Sequence, residues 1–157
     1  MAARRKGRIL AFQALYCWEA VRVPLEELTE FLWLEDDKRE KLDPAMADFA
    51  RALIAGTLEN IKHVDKAIRA HLQNWDFSRL SRVDLAILRM SAYTLMYQKA
   101  LPPSIVINEA IGISKEFGAD DSYKFVNGVL DAIRKTLALP AEQAAQEAVR
   151  APCPAIN

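Results

Sequence analysis

The sequence predicts an all-α protein, and three features of the chain support this fold class. Glycine is scarce, with five in 157 residues, and hydrophobic residues make up 52% of the chain. The aliphatic residues recur at the three- and four-residue spacing of amphipathic helices. No segment alternates polar and apolar residues as a half-buried strand does. This length and apolar content suit one domain, or two small helical lobes that share a core.

The first helix is predicted from about Ala3 to Arg22, ending before Pro24. At about 100° per residue, its side chains separate into two faces. The inward face comprises Leu10, Ala11, Ala14, Leu15, Cys17, Trp18 and Val21. The opposite face comprises Arg5, Lys6, Arg8, Gln13 and Tyr16, with Ile9 and Phe12 as apolar exceptions. The helix is therefore expected to bury one face and to present positive charge and an aromatic ring on the other.

The next elements are a short helix over about 24–34 and a charged run, 35–43, which is predicted to be a solvated connector. Asp43 and Pro44 are typical of an N-cap and a first-turn proline, and they open a long helix. Its periodicity continues to residue 72, with a bend near 60–63 that predicts a separate second helix.

The C-terminal half begins with Ser81-x-x-Asp84, which resembles a capping box with Asp in place of Glu. The helix behind it, about 82–98, is apolar nearly all round, so we expect other helices to surround it. The proline pair at 102–103 starts a helix to about 117, and Gly118 is its expected C-terminal cap. The last helix is predicted over about 121–137. Their inward residues are Ile107, Ala110, Ile111, Ser114 and Phe117, then Phe125, Val129, Leu130 and Ile133.

Composition argues against several classes of protein. Cys17 and Cys153 fit neither a disulfide framework nor a metal site, which favours a reducing, cytoplasmic setting. No apolar run of membrane-spanning length and no signal-peptide pattern is present. His63 and His71 lack carboxylate or cysteine neighbours at ligand spacing, and there is no glycine-rich phosphate loop or nucleophile elbow. We therefore predict no enzyme activity, no metal and no cofactor.

The strongest functional signal is the basic start of the chain. Formal net charge is zero, but residues 1–22 carry an excess of four positive charges. Tyr16 and Gln13 share the face of the basic residues, and phosphate contacts, a stacking ring and an amide are what single-stranded RNA recognition requires. A solvated helix face is the alternative interpretation.

A second candidate patch is the corner 118–125 between the last two helices. A helix N-terminus supplies N–H donors there, Ser122 a hydroxyl, Lys124 a charge, and Tyr123 or Phe125 a ring. The alternative is a plain helix–helix corner. A metal-binding or acid–base role for the Asp120–Asp121 pair explains these residues less well than N-terminal capping of the last helix, where carboxylates accept backbone N–H bonds.

Three segments in order, 3–19, 80–95 and 102–131, resemble the NusB family of bacterial transcription antitermination factors. The last of them, PPSIVINEAIGISKEFGADDSYKFVNGVLD, is the most specific. The resemblance covers about residues 3–137 and implies seven helices in two packed lobes, about 1–61 and 62–137. Residues 138–157 are rich in Ala, Pro and Gln, a composition that predicts a flexible tail. It also implies binding of boxA RNA together with NusE, a small-subunit ribosomal protein, within an RNA polymerase complex that reads through terminators in ribosomal RNA operons.

The resemblance also implies the site residues. The family's RNA-binding patches fall on Arg4, Arg5, Lys6, Arg8, Gln13 and Tyr16, and on Asp121, Lys124 and Phe125. Asp84 is the best single candidate for contact with NusE. Lys6, Gly7 and Tyr123 depart from the family's usual arginine, alanine and histidine, and Gly7 is expected to weaken the first helical turn.

Two other functions remain open from the sequence. One is a NusB-like accessory domain of an RNA-modifying enzyme, against which we note that no cofactor-binding domain follows Leu137. The other is a homo-oligomeric scaffold or accessory RNA-binding module whose RNA site is occluded.

Overall fold

The computed structural model describes residues 2–73 and 75–139, with side chains described from residue 4. These residues form eight α-helices and one 3-10 turn, without a strand among them, which confirms the all-α prediction. In chain order the elements are α1 (Ala2–Val21), α2 (Leu25–Thr29), α3 (Asp36–Glu40), α4 (Pro44–Glu59), α5 (Ile61–Ala70), the 3-10 turn (Phe77–Arg79), α6 (Arg82–Tyr97), α7 (Pro103–Phe117) and α8 (Ser122–Ala138). The predicted tail lies, from residue 140 onward, outside the described residues.

Local capping chemistry places the helix starts where the sequence predicts them. The Asp43 carboxylate accepts the Met46 N–H at 3.0 Å, and Pro44 occupies the first turn of α4. The Ser81 hydroxyl accepts the Asp84 N–H at 3.0 Å at the start of α6. Each side chain satisfies a backbone donor that the first turn of a helix leaves without a partner.

The charged run 35–43 is not a plain connector, because it contains the short helix α3. No residue of α3 is buried. Glu35 pairs with Lys38 at 3.4 Å and Asp36 with Arg39 at 2.6 Å, both at three-residue spacing. Local ion pairs of this kind support a helix that has no apolar stripe, so hydrophobic periodicity could not reveal it.

The core lies around α6, which packs against α1, α4, α5, α7 and α8. Eleven residues of α6 are buried, as its uniformly apolar sequence predicts. The largest fully buried side chains are aliphatic and come from both halves of the chain; they include Leu15, Ile54, Ile68, Ile87, Leu88, Ile113 and Leu130.

A buried ion network crosses this core. The Arg89 guanidinium donates to both carboxylate oxygens of Asp65, at 2.9 and 3.0 Å, and to Glu19 at 2.7 Å. It also lies near the rings of Trp18 and Phe77. Burial lowers the pKa of Arg89, but the hydrogen bonds and charges of the two acids outweigh burial and raise it above its ordinary value. The network joins α1, α5 and α6.

The predicted inward faces of two helices need correction. Phe12 is buried, because its ring packs against Phe117 at the end of α7, with centroids 5.3 Å apart. Val21 is exposed, because it is the last residue of α1 and the chain turns at Arg22, whose φ is 50°. In α7 Phe117 remains partly exposed, while Val106 and Ile113 are buried instead.

Candidate RNA-binding surface

Helix α1 carries an open basic face, which we define as Arg4, Arg5, Lys6, Gln13 and Tyr16. Arg4, Lys6 and Tyr16 are exposed, and Arg5 and Gln13 are half-buried. Tyr16 is 38% exposed, which is enough for one ring face or edge to meet a ligand. The structure thus leaves positive charge, an amide and an aromatic ring accessible on one helix.

Arg8 is not part of this open face, although the sequence groups it there. Its side chain is only 11% exposed, with the guanidinium 5.4 Å from the centre of the Phe49 ring. Burial lowers the pKa of Arg8, Glu109 at 4.0 Å opposes that effect, and Arg4 adds to it. Long arginine stems readily bury against apolar surface, which a charge-based helical wheel does not anticipate.

Gly7 has a packing role that the sequence did not suggest. It is buried, and a Cβ at this position would lie 2.6 Å from a ring carbon of Phe49. The glycine therefore permits a close approach of α1 to α4, in addition to lowering the helix propensity of the first turns.

Arg5 lies across the surface of α7. Its guanidinium nitrogens are 3.6 Å from Glu109 and 4.0 Å from Glu116. A Cβ at Gly112 would lie 2.8 Å from both Nη atoms of Arg5 and 3.2 Å from Cζ. The guanidinium therefore rests against the bare backbone of a glycine, between two acids.

The second candidate patch is the corner that joins α7 to α8. Asp121 is exposed and pairs with Lys124 at 3.5 Å. It occupies the N-cap position of α8 without a side-chain cap hydrogen bond, so the capping role predicted for its carboxylate is wrong. The ammonium of Lys124 lies 5.9 Å from the centre of the Tyr123 ring.

A groove of about 390 Å³ opens beside this corner. Its walls include Trp75 and Phe125, whose ring centroids are 5.9 Å apart, together with Leu80 and Ser122. Trp75 is 49% exposed, so its ring is open to solvent as a wall of the groove. The signal available in the sequence was a pair of aromatic residues, Trp75 and Phe77, among polar neighbours.

Asp84 lines the same groove and is buried, with 9% of its surface exposed. The Ser122 hydroxyl donates to its Oδ2 at 3.4 Å, while Oδ1 has no hydrogen-bond partner within the described part of the protein. Burial raises the pKa of Asp84. Side-chain hydrogen bonds with Ser122 and Ser81 oppose that rise. A buried carboxylate oxygen without a donor is suited to accept a hydrogen bond from a partner molecule.

The structure brings the two patches onto neighbouring elements. Phe12, in the middle of α1, contacts Phe117 at the end of α7, directly before the corner. Arg5 reaches Glu116 on the same turn of α7.

None of the described helices is long and apolar enough to cross a membrane.

An all-α fold that exposes basic side chains and an aromatic ring beside a helix–helix corner defines a class of small helical proteins suited to binding RNA. The sequence profile of the NusB family matches residues 5–135. The chain belongs to the NusB family.

Proteins named as NusB are similar to this chain over nearly their whole length. The transcription antitermination protein NusB of Treponema denticola is 52% identical over 131 residues, which cover 83% of this chain and 95% of that protein. Its counterpart in Treponema pallidum (strain Nichols) is 50% identical over 135 residues, 85% of this chain and 93% of that protein.

Solved structures agree with the fold. NusB of T. maritima superposes with a TM-score of 0.75 at 36% identity, covering 91% of this chain and 96% of that one. A chain of a complex of antitermination factors NusB and NusE with double-stranded RNA superposes with a TM-score of 0.76 at 27% identity, covering 86% and 98%.

Proposed function

We propose that this protein is a transcription antitermination factor that binds boxA-containing RNA together with NusE. In this role it joins an RNA polymerase complex and promotes processive transcription of ribosomal RNA operons. The relatives named as antitermination proteins support this function, as does the similarity to a protein solved with NusE and RNA.

The observation that carries the proposal is the open basic face of α1 beside the α7–α8 corner. Arg4, Arg5 and Lys6 supply positive charge for phosphates, and Tyr16 and Gln13 supply stacking and hydrogen bonds to bases. Asp121, Lys124 and Phe125 extend the surface at the corner. Arg8 contributes positive potential from below the surface, since its side chain is mostly buried.

Asp84 is the residue that we propose for NusE docking. Its unpaired Oδ1, in a groove with apolar walls, offers a partner one strong acceptor surrounded by ring surface. The groove shares Asp121 and Phe125 with the corner patch, so NusE and RNA would meet along its rim.

The same proposal covers the protein's organisation and setting. It acts as a cytoplasmic binding protein, without catalysing a reaction. Its helices divide into an N-terminal lobe of about 1–61 and a C-terminal lobe of about 62–137, with Arg89 of α6 bonded to Glu19 of the first lobe and Asp65 of the second.

The test is RNA affinity as a function of salt, measured with boxA RNA in the presence and absence of NusE. Arg4→Ala and Arg5→Ala are expected to weaken binding, and each lost phosphate contact reduces the slope of log affinity against log salt by about 0.7 for a single strand. Arg134→Ala, which removes an arginine outside both patches, is the matched control and is expected to bind like the parent.

Affinity and salt slope that stay at parental values in both α1 variants would contradict the proposed RNA site. For NusE, Asp84→Asn removes the charge with almost no change in shape. It is expected to weaken NusE binding measured without RNA, and unchanged NusE affinity would contradict that assignment.

A further inference from the structure

The surface of α7 beneath Arg5 has an arrangement that RNA binding alone does not require. Glu109, Gly112 and Glu116 follow one another at spacings of three and four residues, which places them on one face of the helix. We call these three residues the α7 seat. The Arg5 guanidinium lies on this face, with an acid toward each end and the glycine beneath it.

Gly112 determines whether the seat can be occupied. The three atoms nearest to a Cβ built there all belong to the Arg5 guanidinium, at 2.8, 2.8 and 3.2 Å. Contacts under about 3 Å are repulsive for carbon and nitrogen, so any side chain at this position would displace the guanidinium. A glycine inside a helix also costs stability relative to alanine, so the bare position is not explained by helix propensity.

The contacts of the seat are attractive and loose. The distances of 3.6 and 4.0 Å are too long for hydrogen bonds, and 40% of the Arg5 side chain remains exposed. The pair with Glu116 is exposed, and such pairs contribute little to stability. Glu109 is only 26% exposed and its Oε2 is buried, but Arg8 also lies 4.0 Å from that oxygen, so Glu109 keeps a cation nearby when Arg5 leaves the seat. While it stays, the two carboxylates cancel much of its charge and repel any phosphate that approaches it.

We propose that the α7 seat is an internal competitor of RNA: it holds Arg5 on α7 in the free protein, and Arg5 leaves it when RNA binds. The inference rests on the proposed function, because it concerns one arginine of the RNA-binding face. It adds Glu109, Gly112 and Glu116 as residues that set RNA affinity without contacting RNA.

Two single variants test the seat through different chemistry. Glu116→Gln removes one acid, and Gly112→Ala displaces the guanidinium without any change of charge. Each is expected to tighten boxA RNA binding about two- to fivefold at low salt, which is the range that breaking an exposed ion pair allows. The gain is expected to shrink as salt rises, because salt already screens the pair.

The matched control is the same pair of substitutions in an Arg5→Ala background. Without Arg5 there is nothing to release, so Gly112→Ala is expected to leave RNA affinity unchanged there. Glu116→Gln is expected to keep only the small gain that follows from removing a negative charge near RNA.

Three outcomes would overturn the inference while leaving the proposed function intact. They are weaker RNA binding by Gly112→Ala, unchanged binding, or an equal gain with and without Arg5. Failure of the proposed function has a different signature, since the parent and every variant would then show no salt-dependent binding of boxA RNA. Alanine has a higher helix propensity than glycine, so Gly112→Ala is expected to fold. The test therefore does not depend on whether Glu116→Gln folds.

Discussion

Arg89 and Arg5 both face two carboxylates, yet the two clusters differ in burial and in hydrogen bonding. Arg89 has 4% of its side chain exposed and makes three hydrogen bonds of 2.7–3.0 Å to Asp65 and Glu19. Arg5 is 40% exposed and lies 3.6 and 4.0 Å from its acids. Burial and hydrogen bonding make the first cluster a fixed part of the fold. The second cluster has longer contacts and is partly exposed to solvent, so the positive charge of Arg5 remains available to another molecule.

The largest expected effect comes from opening the buried cluster. Arg89→Met leaves Asp65 and Glu19 without their common donor, and removing one partner of a buried network costs about 3–5 kcal/mol. Urea unfolding measures this loss. Arg134→Met, which breaks an exposed pair with Asp131, is the control and is expected to cost less than about 1 kcal/mol.

An Arg89→Met loss as small as that of the control would show that the buried cluster is no more than a surface pair. The triple variant that also replaces Asp65 and Glu19 with leucine is expected to recover part of the loss, because apolar groups of similar size remove the unpaired charges.

Arg8 and Arg5 both lie near Glu109 but differ in exposure. Replacing Arg8 is therefore expected to lower stability more, and replacing Arg5 to lower RNA affinity more. Arg8→Ala loses packing against Phe49 and is expected to cost about 1–2 kcal/mol of unfolding free energy. Arg5→Ala is expected to cost less than about 1 kcal/mol but to weaken RNA binding more than Arg8→Ala does. Denaturation and RNA titration of the same two variants check both orders, and equal stability losses would refute the distinction.

The smallest expected effect concerns Asp84, a buried acid whose Oδ2 accepts a hydrogen bond from the Ser122 hydroxyl. Because burial raises its pKa in the folded state, the parent loses stability as pH rises from the ordinary carboxyl value of 3.8 through the raised value. Asp84→Asn lacks this loss. At pH about 7 the variant is therefore expected to be at least as stable as the parent, with the difference closing toward pH about 4.

Asp131 provides the control of opposite sign. Hydrogen bonds from Arg134 and Lys135 lower its pKa, so its contribution is present above the ordinary carboxyl value and is lost as pH falls through the lowered one. Asp131→Asn is expected to lose stability at neutral pH. Unfolding curves at several pH values check both signs, and a pH-independent difference for Asp84→Asn would contradict the role of burial.

Helix starts were the most predictable part of the fold. They depend on local backbone chemistry, which a short stretch of sequence is enough to predict. The residues that act in this way are Asp43, Pro44, Ser81 and the proline pair at 102–103. α3 was missed because exposed ion pairs stabilise it, and these leave no apolar pattern.

The candidate surface was predictable in outline and not in detail. The basic residues and Tyr16 are found on α1 as expected, and Lys124 lies at the corner. The burial of Arg8 and Phe12 depends on Phe49 and Phe117, which are distant in sequence. The groove beside Asp84 depends on Trp75 and Phe125 meeting across the fold, and no local pattern specifies such a meeting.

The Arg89 cluster has a consequence for how the chain is made. Synthesis runs from the N-terminus, so Glu19 and Asp65 leave the ribosome before Arg89 does. Until α6 emerges, both carboxylates have to stay hydrated, because enclosing them without a cation is costly. Enclosing both carboxylates therefore becomes favourable only once Arg89 is available to pair with them.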